Sequence, residues 1–259
     1  MKSISFIIPC YNEEKRINKT FDALKNAKLP RGLRLEQVIF VNDGSKDKTV
    51  EKINKFTKKS NLQINLISYK QNRGKGNAIK VGMAESKADY TLFFDADMST
   101  PLSELRKFAS LMKHEVDVII GTRKNGHSTV IKHQPLYREL LGKVFTKITQ
   151  TVLQVNNSDF TCGFKAFSKK ATLDIFEDAK ISGWGYDAEI VFLAHKKGFS
   201  VKEMPVIWEN DERTKVDLKS AIIKTLFELG QIRWYHSIKP AFALVSTNLK
   251  LSSQFKNLL

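Results

Sequence analysis

Residues 37–69 read QVIFVNDGSKDKTVEKINKFTKKSNLQINLISY, and this stretch decides the fold class. Gln37 to Asn42 is a β-branched and aromatic run, Asp43-Gly44-Ser45 is turn chemistry, Asp47 to Lys59 has helical periodicity, and Ile64 to Tyr69 is a second β-rich run. Strand, turn, helix and strand in that order make a βαβ unit, and hence a parallel pair. Working outward, Ser3 to Ile8, Tyr90 to Phe94 and Val116 to Ile120 read as further strands, while Asn12 to Asn26, Lys75 to Ala84 and Pro101 to His114 read as helices. The expected fold is therefore α/β, a mainly parallel sheet flanked by helices. Ligands of open α/β sheets sit beyond the carboxyl ends of the strands, so the functional residues are expected at Cys10 to Glu14, Asn42 to Ser45 and Asp95 to Ser99.

The chain has 259 residues, ample for one large α/β domain, and its 42% hydrophobic and 27% charged residues are ordinary globular usage. Its net charge of +16 creates a positive field that favours polyanions: nucleic acid, anionic lipid or phosphorylated substrates. Met1-Lys2-Ser3 runs directly into Ile4-Ser5-Phe6-Ile7-Ile8 without the features of a signal peptide, which argues against secretion. No apolar run approaches the roughly 20 residues that span a bilayer, the nearest being Ala241 to Val245. Cys10 and Cys162 have no partners at metal-ligand spacing and read as free thiols of a reducing cytosol.

Beyond Gly121-Thr122-Arg123 the pattern changes to basic amphipathic stretches at Leu136 to Val155 and Leu218 to Tyr235. No internal repeat or flexible linker separates them. The organisation expected is a nucleotide-binding half at 1–122, an acceptor-binding half of the same domain at 123–214, and amphipathic membrane-associating helices at 215–259.

Phe94-Asp95-Ala96-Asp97-Met98 carries the most chemistry. Two carboxylates at i and i+2 after an apolar strand supply hard oxygen ligands that suit Mg²⁺ or Mn²⁺ bridging a diphosphate. Alone, the pair is as well explained by a turn or a helix cap. Its neighbours change the balance: Ile8-Pro9-Cys10-Tyr11-Asn12-Glu13-Glu14, Phe40-Val41-Asn42-Asp43-Gly44-Ser45-Lys46-Asp47, and Asn72-Arg73-Gly74-Lys75-Gly76-Asn77-Ala78. In this order and spacing they resemble the IPxYNE, VxDGSxD, NxGKGxA and DxD elements of family 2 glycosyltransferases, from about Ile4 to about Thr214.

The resemblance implies a GT-A, Rossmann-like fold and a metal-dependent, nucleotide-sugar-using enzyme. It implies that Pro9, Tyr11, Glu13 and Asp43 line the nucleoside pocket, with Arg73, Lys75 and Ala96 beside the donor, and that Asp95 and Asp97 hold the diphosphate through the metal. Ser158-Asp159-Phe160-Thr161-Cys162-Gly163-Phe164-Lys165-Ala166-Phe167 looks like the (S/D)xxCGFKxF segment of polyprenyl-phosphate hexosyltransferases, particularly the dolichyl-phosphate glucosyltransferase-like branch. There an acid at the Asp159 position lies close to the metal and the acceptor phosphate. Gly183-Trp184-Gly185-Tyr186-Asp187-Ala188-Glu189-Ile190 resembles the element that the same branch places at the sugar end of the cleft. Asp187 and Glu189 read equally well as cap and first-turn acids of a helix. Arg123 is an arginine fork able to reach phosphate oxygens, and Arg138 stands about where the branch has a second phosphate-contacting arginine. Gly142 replaces a small hydroxyl residue sometimes found nearby.

A lipid monophosphate is largely ionised near neutrality, its second pKa being about 6, so as an acceptor it needs positive charge more than a general base. Lys132, His133, Arg138, Lys143 and Lys147 beside Leu136, Leu140, Leu141, Val144, Phe145 and Ile148 supply that charge next to apolar surface. Leu218, Ile222, Leu226, Leu229 and Ile232 or Arg233 follow a second helical spacing, with Lys219, Lys224, Trp234, Tyr235 and Lys239 able to meet headgroups. Core helices are the competing reading of both stripes. The expectation is an inverting transfer of a hexose, glucose, from a UDP-sugar to polyprenyl phosphate, by an enzyme attached peripherally to the anionic cytoplasmic face of a membrane. A family 2 transferase acting on a glycan or glycolipid hydroxyl with Asp187 or Glu189 as base, and a non-catalytic nucleotide-sugar- or polyanion-binding protein, are the alternatives. Nucleic acid is not expected, because the paired carboxylates oppose a nucleic-acid groove and no base-stacking motif or zinc site is visible.

Overall fold

The computed structural model describes residues 1–211, 213 and 218–240, with side chains in the last segment from Ile223 onward. The run Ala241 to Val245 and the side chains of Leu218, Lys219 and Ile222 thus lie outside the described residues. Strands β1 (Lys2–Cys10), β2 (Leu33–Asp43), β3 (Ile64–Tyr69) and β4 (Tyr90–Phe94) alternate with α1 (Ile17–Lys25), α2 (Thr49–Lys59) and α3 (Lys75–Ala84). A 3-10 turn at Leu102–Glu104 leads into α4 (Leu105–Lys113). There follow β5 (Val118–Thr122), β6 (Thr129–Lys132), α5 (Leu136–Leu153), β7 (Phe164–Ser168), α6 (Lys169–Asp178), α7 (Tyr186–Lys196), β8 (Val201–Pro205), β9 (Ile207–Glu209) and α8 (Leu218–Arg233). The last helix continues into a π-helical turn, Trp234–Ile238.

The main sheet has the order β3-β2-β1-β4-β7-β5-β8, and β6 pairs with β9 in a separate parallel ribbon. Neighbours in the main sheet are parallel except β7, which runs antiparallel to both β4 and β5. This is the mixed, mainly parallel sheet that the sequence predicts. Its central strands are buried on both faces, as parallel sheets require, while the edge strands β3 and β8 are only partly covered. Alternate strand residues sort accordingly: Ile7, Ile39, Val41 and Phe93 pack with α3, α6, α7 and α8, whereas Phe6, Val38, Phe40 and Leu92 pack with α1, α2 and α4.

Several element ends differ from expectation, two of them for a clear backbone reason. Helix α1 begins at Ile17 rather than Asn12, because Asn12 adopts φ 54° and the amide of Glu13 is committed to Thr49 Oγ1 at 2.7 Å. The fourth helix signal, Pro101 to His114, splits into the 3-10 turn and α4. Strand β5 begins at Val118 because Glu115, at φ 57°, turns the chain out of α4.

The C-terminal stripe needs a correction. Leu229 and Ile232 are fully buried in the core beside α7, so this part of the expected membrane face is core packing. The apolar residues that α8 and its continuation leave exposed are Ile223, Leu226, Phe227, Trp234, Tyr235 and Ile238. On α5, Leu136, Tyr137, Leu140, Leu141 and Val144 are exposed, while Phe145 and Ile148 pack against the core. No helix among the described residues is long and apolar enough to cross a membrane.

Candidate active site

The carboxyl ends of β1 and β2 are joined by side chains binding backbone. Asn12 N–H donates to Ser45 Oγ at 2.9 Å, Lys46 N–H to Asn12 Oδ1 at 2.8 Å, and Glu14 N–H to Asp47 Oδ2 at 3.1 Å. Pro9 is buried on β1 and pairs with Val41, whereas Tyr11 extends into solvent just beyond it. Asp43, at the end of β2, accepts hydrogen bonds from the amides of Arg73 at 2.7 Å and Gly74 at 2.9 Å. It therefore shapes the Asn72–Gly76 loop, and Arg73 lies over the Tyr69 ring at 5.2 Å.

Beyond β4 the two expected metal carboxylates separate onto different cations. Asp95 pairs with Lys75 at 2.5 Å, and Asp97 pairs with Arg16 at 3.2 Å. Arg16 also clamps Glu13 through two hydrogen bonds of 2.7 and 2.5 Å, tying the β1 loop to the β4 loop. Burial works against the charge on Arg16, but Glu13 and Asp97 hold it above its ordinary pKa. Burial likewise opposes the Lys75 ammonium, and Asp95 and Asp187 raise it. Ala96 is buried, and its carbonyl accepts Thr20 Oγ1–H at 2.6 Å. The Asp95 carboxylate rests on Gly163, where a Cβ would come within 2.1 Å of Oδ2, so that seat exists only beside a glycine. Arg16 carries no motif of its own; its spacing of three from Glu13 was the available signal.

The remaining acids sit in the interior. Asp159, fully buried, receives Arg123 Nε–H at 2.7 Å and Nη2–H at 2.9 Å. Burial penalises its charge, yet Arg123 and Lys124 hold its carboxyl well below the usual carboxylate range. Among the described residues no three His, Cys, Asp or Glu side chains gather closely enough to hold a metal ion, and Asp159 is paired with Arg123. Asp187 forms an ion pair with the fully buried Lys165, which also donates to the Cys162 carbonyl at 2.7 Å. Glu189 accepts the amides of Lys180 at 2.9 Å and Ile181 at 2.8 Å and pairs with His236 at 2.7 Å. Both expected bases are thus occupied by internal partners. Arg138 lies in the first turn of α5, near the exposed Tyr137 hydroxyl. Cys10 and Cys162 are buried free thiols, and burial pushes the Cys162 thiol up to about 11.

A doubly covered sheet whose parallel strand ends present a carboxylate pair, a basic loop and a basic inner wall has the architecture of a GT-A glycosyltransferase. Residues 5–176 match Glycosyl transferase family 2, and the chain belongs to that family. It is 31% identical over 241 residues to a dolichyl-phosphate beta-glucosyltransferase of Dictyostelium discoideum, covering 89% of this chain and 74% of the relative. A protein of the same description from Saccharomyces cerevisiae is 34% identical over 248 residues, with 89% and 74% covered. Glucosyl-3-phosphoglycerate synthase from Mycobacterium tuberculosis, crystallised with UDP, shares the fold with a TM-score of 0.67 at 15% identity, over 89% of this chain and 80% of that one. The same synthase with Mn²⁺, UDP and glucosyl-3-phosphoglycerate gives 0.61 at 18% identity, over 88% and 80%.

Proposed function

We propose that this family 2 glycosyltransferase moves glucose, with inversion, from a UDP-sugar to a polyprenyl phosphate of the dolichyl or undecaprenyl type at the cytoplasmic face of a membrane. The observation that carries the reading is the contrast within the crevice. Asp95 and Asp97 are partly open and each is balanced by one cation, whereas Asp187 and Glu189 are closed off by internal partners. An enzyme with an ionised phosphate acceptor can do without a base. The similarity to dolichyl-phosphate glucosyltransferases over most of the chain points the same way.

Asp95 and Asp97 fit a divalent ion: Mg²⁺ commonly takes one or two carboxylates plus substrate phosphates rather than an all-protein cage. Bound there, Mg²⁺ or Mn²⁺ would offset the charge gathering on the departing diphosphate. Pro9, Tyr11 and Glu13 line the nucleoside side, with Asp43 holding the Arg73-Gly74 amides in place. Lys75 and Arg73 add positive charge on the diphosphate side. Arg123, Arg138 and Lys124 attract the acceptor phosphate, and Asp159 fixes the Arg123 fork. The exposed Leu136, Leu140 and Val144 with Lys143 and Lys147, and Ile223, Phe227 and Trp234, meet the lipid surface.

The test is incubation with UDP-glucose and Mg²⁺, with and without polyprenyl phosphate in detergent. Label should enter a lipid-phosphate product only when the lipid is supplied. Transfer to a soluble glycan that is indifferent to the lipid would overturn the acceptor assignment.

A further inference from the structure

The turn from Lys180 to Gly185 lies between the donor loop and the C-terminal helix and is gripped from both sides. On one side the Ser182 carbonyl accepts Gly76 N–H at 3.0 Å, and a Cβ on Gly74 would approach that same oxygen to 2.3 Å. Between those glycines stands Lys75, which reaches Asp95. On the other side Glu228 of α8 accepts Gly185 N–H through Oε2 at 2.6 Å. A Cβ on Gly183 would lie 2.0 Å from Glu228 Oε1, and one on Gly185 would lie 2.8 Å from Oε2, so both glycines leave room for this carboxylate. A second tie runs parallel to it: His236 in the π-helical turn pairs with Glu189, which itself holds the amides of Lys180 and Ile181.

We propose that Glu228 is a positioning residue for the donor site. From the C-terminal helix it sets the Ser182–Gly185 turn, and through Ser182 it sets the Gly74–Gly76 loop that aims Lys75 at Asp95. The inference rests on the reading that this crevice binds a nucleoside diphosphate. Glu228 touches no substrate; it acts by fixing backbone, so its loss raises donor KM more than it lowers kcat.

Calorimetry of the full chain with UDP and Mg²⁺ tests it. Glu228→Ala should weaken UDP binding by about tenfold, the equivalent of about 1.4 kcal/mol. Glu228→Gln retains an acceptor for Gly185 N–H and should restore most of the affinity. Gly183→Ala keeps the carboxylate but forces a methyl against it, and should weaken UDP binding in the same direction even if Glu228→Ala fails to fold. Unchanged UDP affinity in folded Glu228→Ala and Gly183→Ala proteins would overturn the inference. So would equal losses in the Gln and Ala variants, which would assign the effect to charge rather than to the hydrogen bond. If the unaltered chain bound no UDP, the donor reading itself would fall, and this inference with it.

Discussion

The chain contains an acid-alanine-acid tripeptide twice, Asp95-Ala96-Asp97 and Asp187-Ala188-Glu189, and the two have opposite fates. The first follows β4 and stays in a loop, with side chains 33% and 18% exposed. The second lies in the first turn of α7, with side chains 6% and 0% exposed. In a helix, residues i and i+2 point about 200° apart, so Asp187 and Glu189 diverge toward different neighbours and cannot share a ligand. The loop carries no such constraint. The lesson is that the backbone under a motif, not its composition, separates acids left partly open from acids buried on internal partners.

The sharpest way to break this comparison is Asp187→Ala, which strands the buried Lys165 ammonium and should cost about 3–5 kcal/mol in urea unfolding. A stable variant that has lost only turnover would instead make Asp187 catalytic. Asp159 provides a pH test of the buried class. Its carboxyl is held below the usual range in the folded protein, so its stabilisation is complete above the ordinary carboxylate value of about 3.9 and fades as pH falls below it. The stability gap between the unaltered chain and Asp159→Asn should therefore shrink in acid; a gap independent of pH would contradict the Arg123 pairing. For the open class, Asp97→Asn should lower turnover by at least about tenfold, roughly 1.4 kcal/mol of barrier, with its denaturation curve unchanged. Excess EDTA should abolish turnover, and full activity in its presence would remove the metal from the reading. The smallest effect concerns the outer surface: Lys147→Ala should reduce flotation with anionic vesicles by about 1 kcal/mol and leave neutral vesicles unaffected.

Most of the first half of the chain was legible. The runs of β1 to β4 are rich in β-branched and aromatic residues, and each is followed by turn residues, so composition and punctuation agree. Strand β7 was harder to read. Lys165 looks like a solvent-facing position in a short alternating run, yet it is fully buried and balanced by an acid distant in sequence. The start of α1 was misjudged because helix propensity is local, whereas Asn12 and Glu13 answer to Ser45 and Thr49 on another loop. In α8 the sequence pattern located the helix but not its orientation. Leu229 and Ile232 pack inward against α7, and Ile223 and Phe227 face outward, which only the tertiary arrangement decides. For the same reason Arg16, Glu228 and His236 stood outside every motif: their partners are far away along the chain or held in a turn.

The reversed strand β7 also governs the order in which the protein can be assembled during synthesis. When β5 emerges from a ribosome, neither of its sheet neighbours exists, since β7 and β8 both come later, and β4 still carries a bare edge. The sheet is thus left in two pieces until the chain has been made as far as Ser168, when one short strand bridges them. Through that interval the apolar edges of β4 and β5 are open templates for other chains. A fragment ending at residue 122 would hold this vulnerable state permanently and should aggregate rather than fold as a free-standing nucleotide-binding unit.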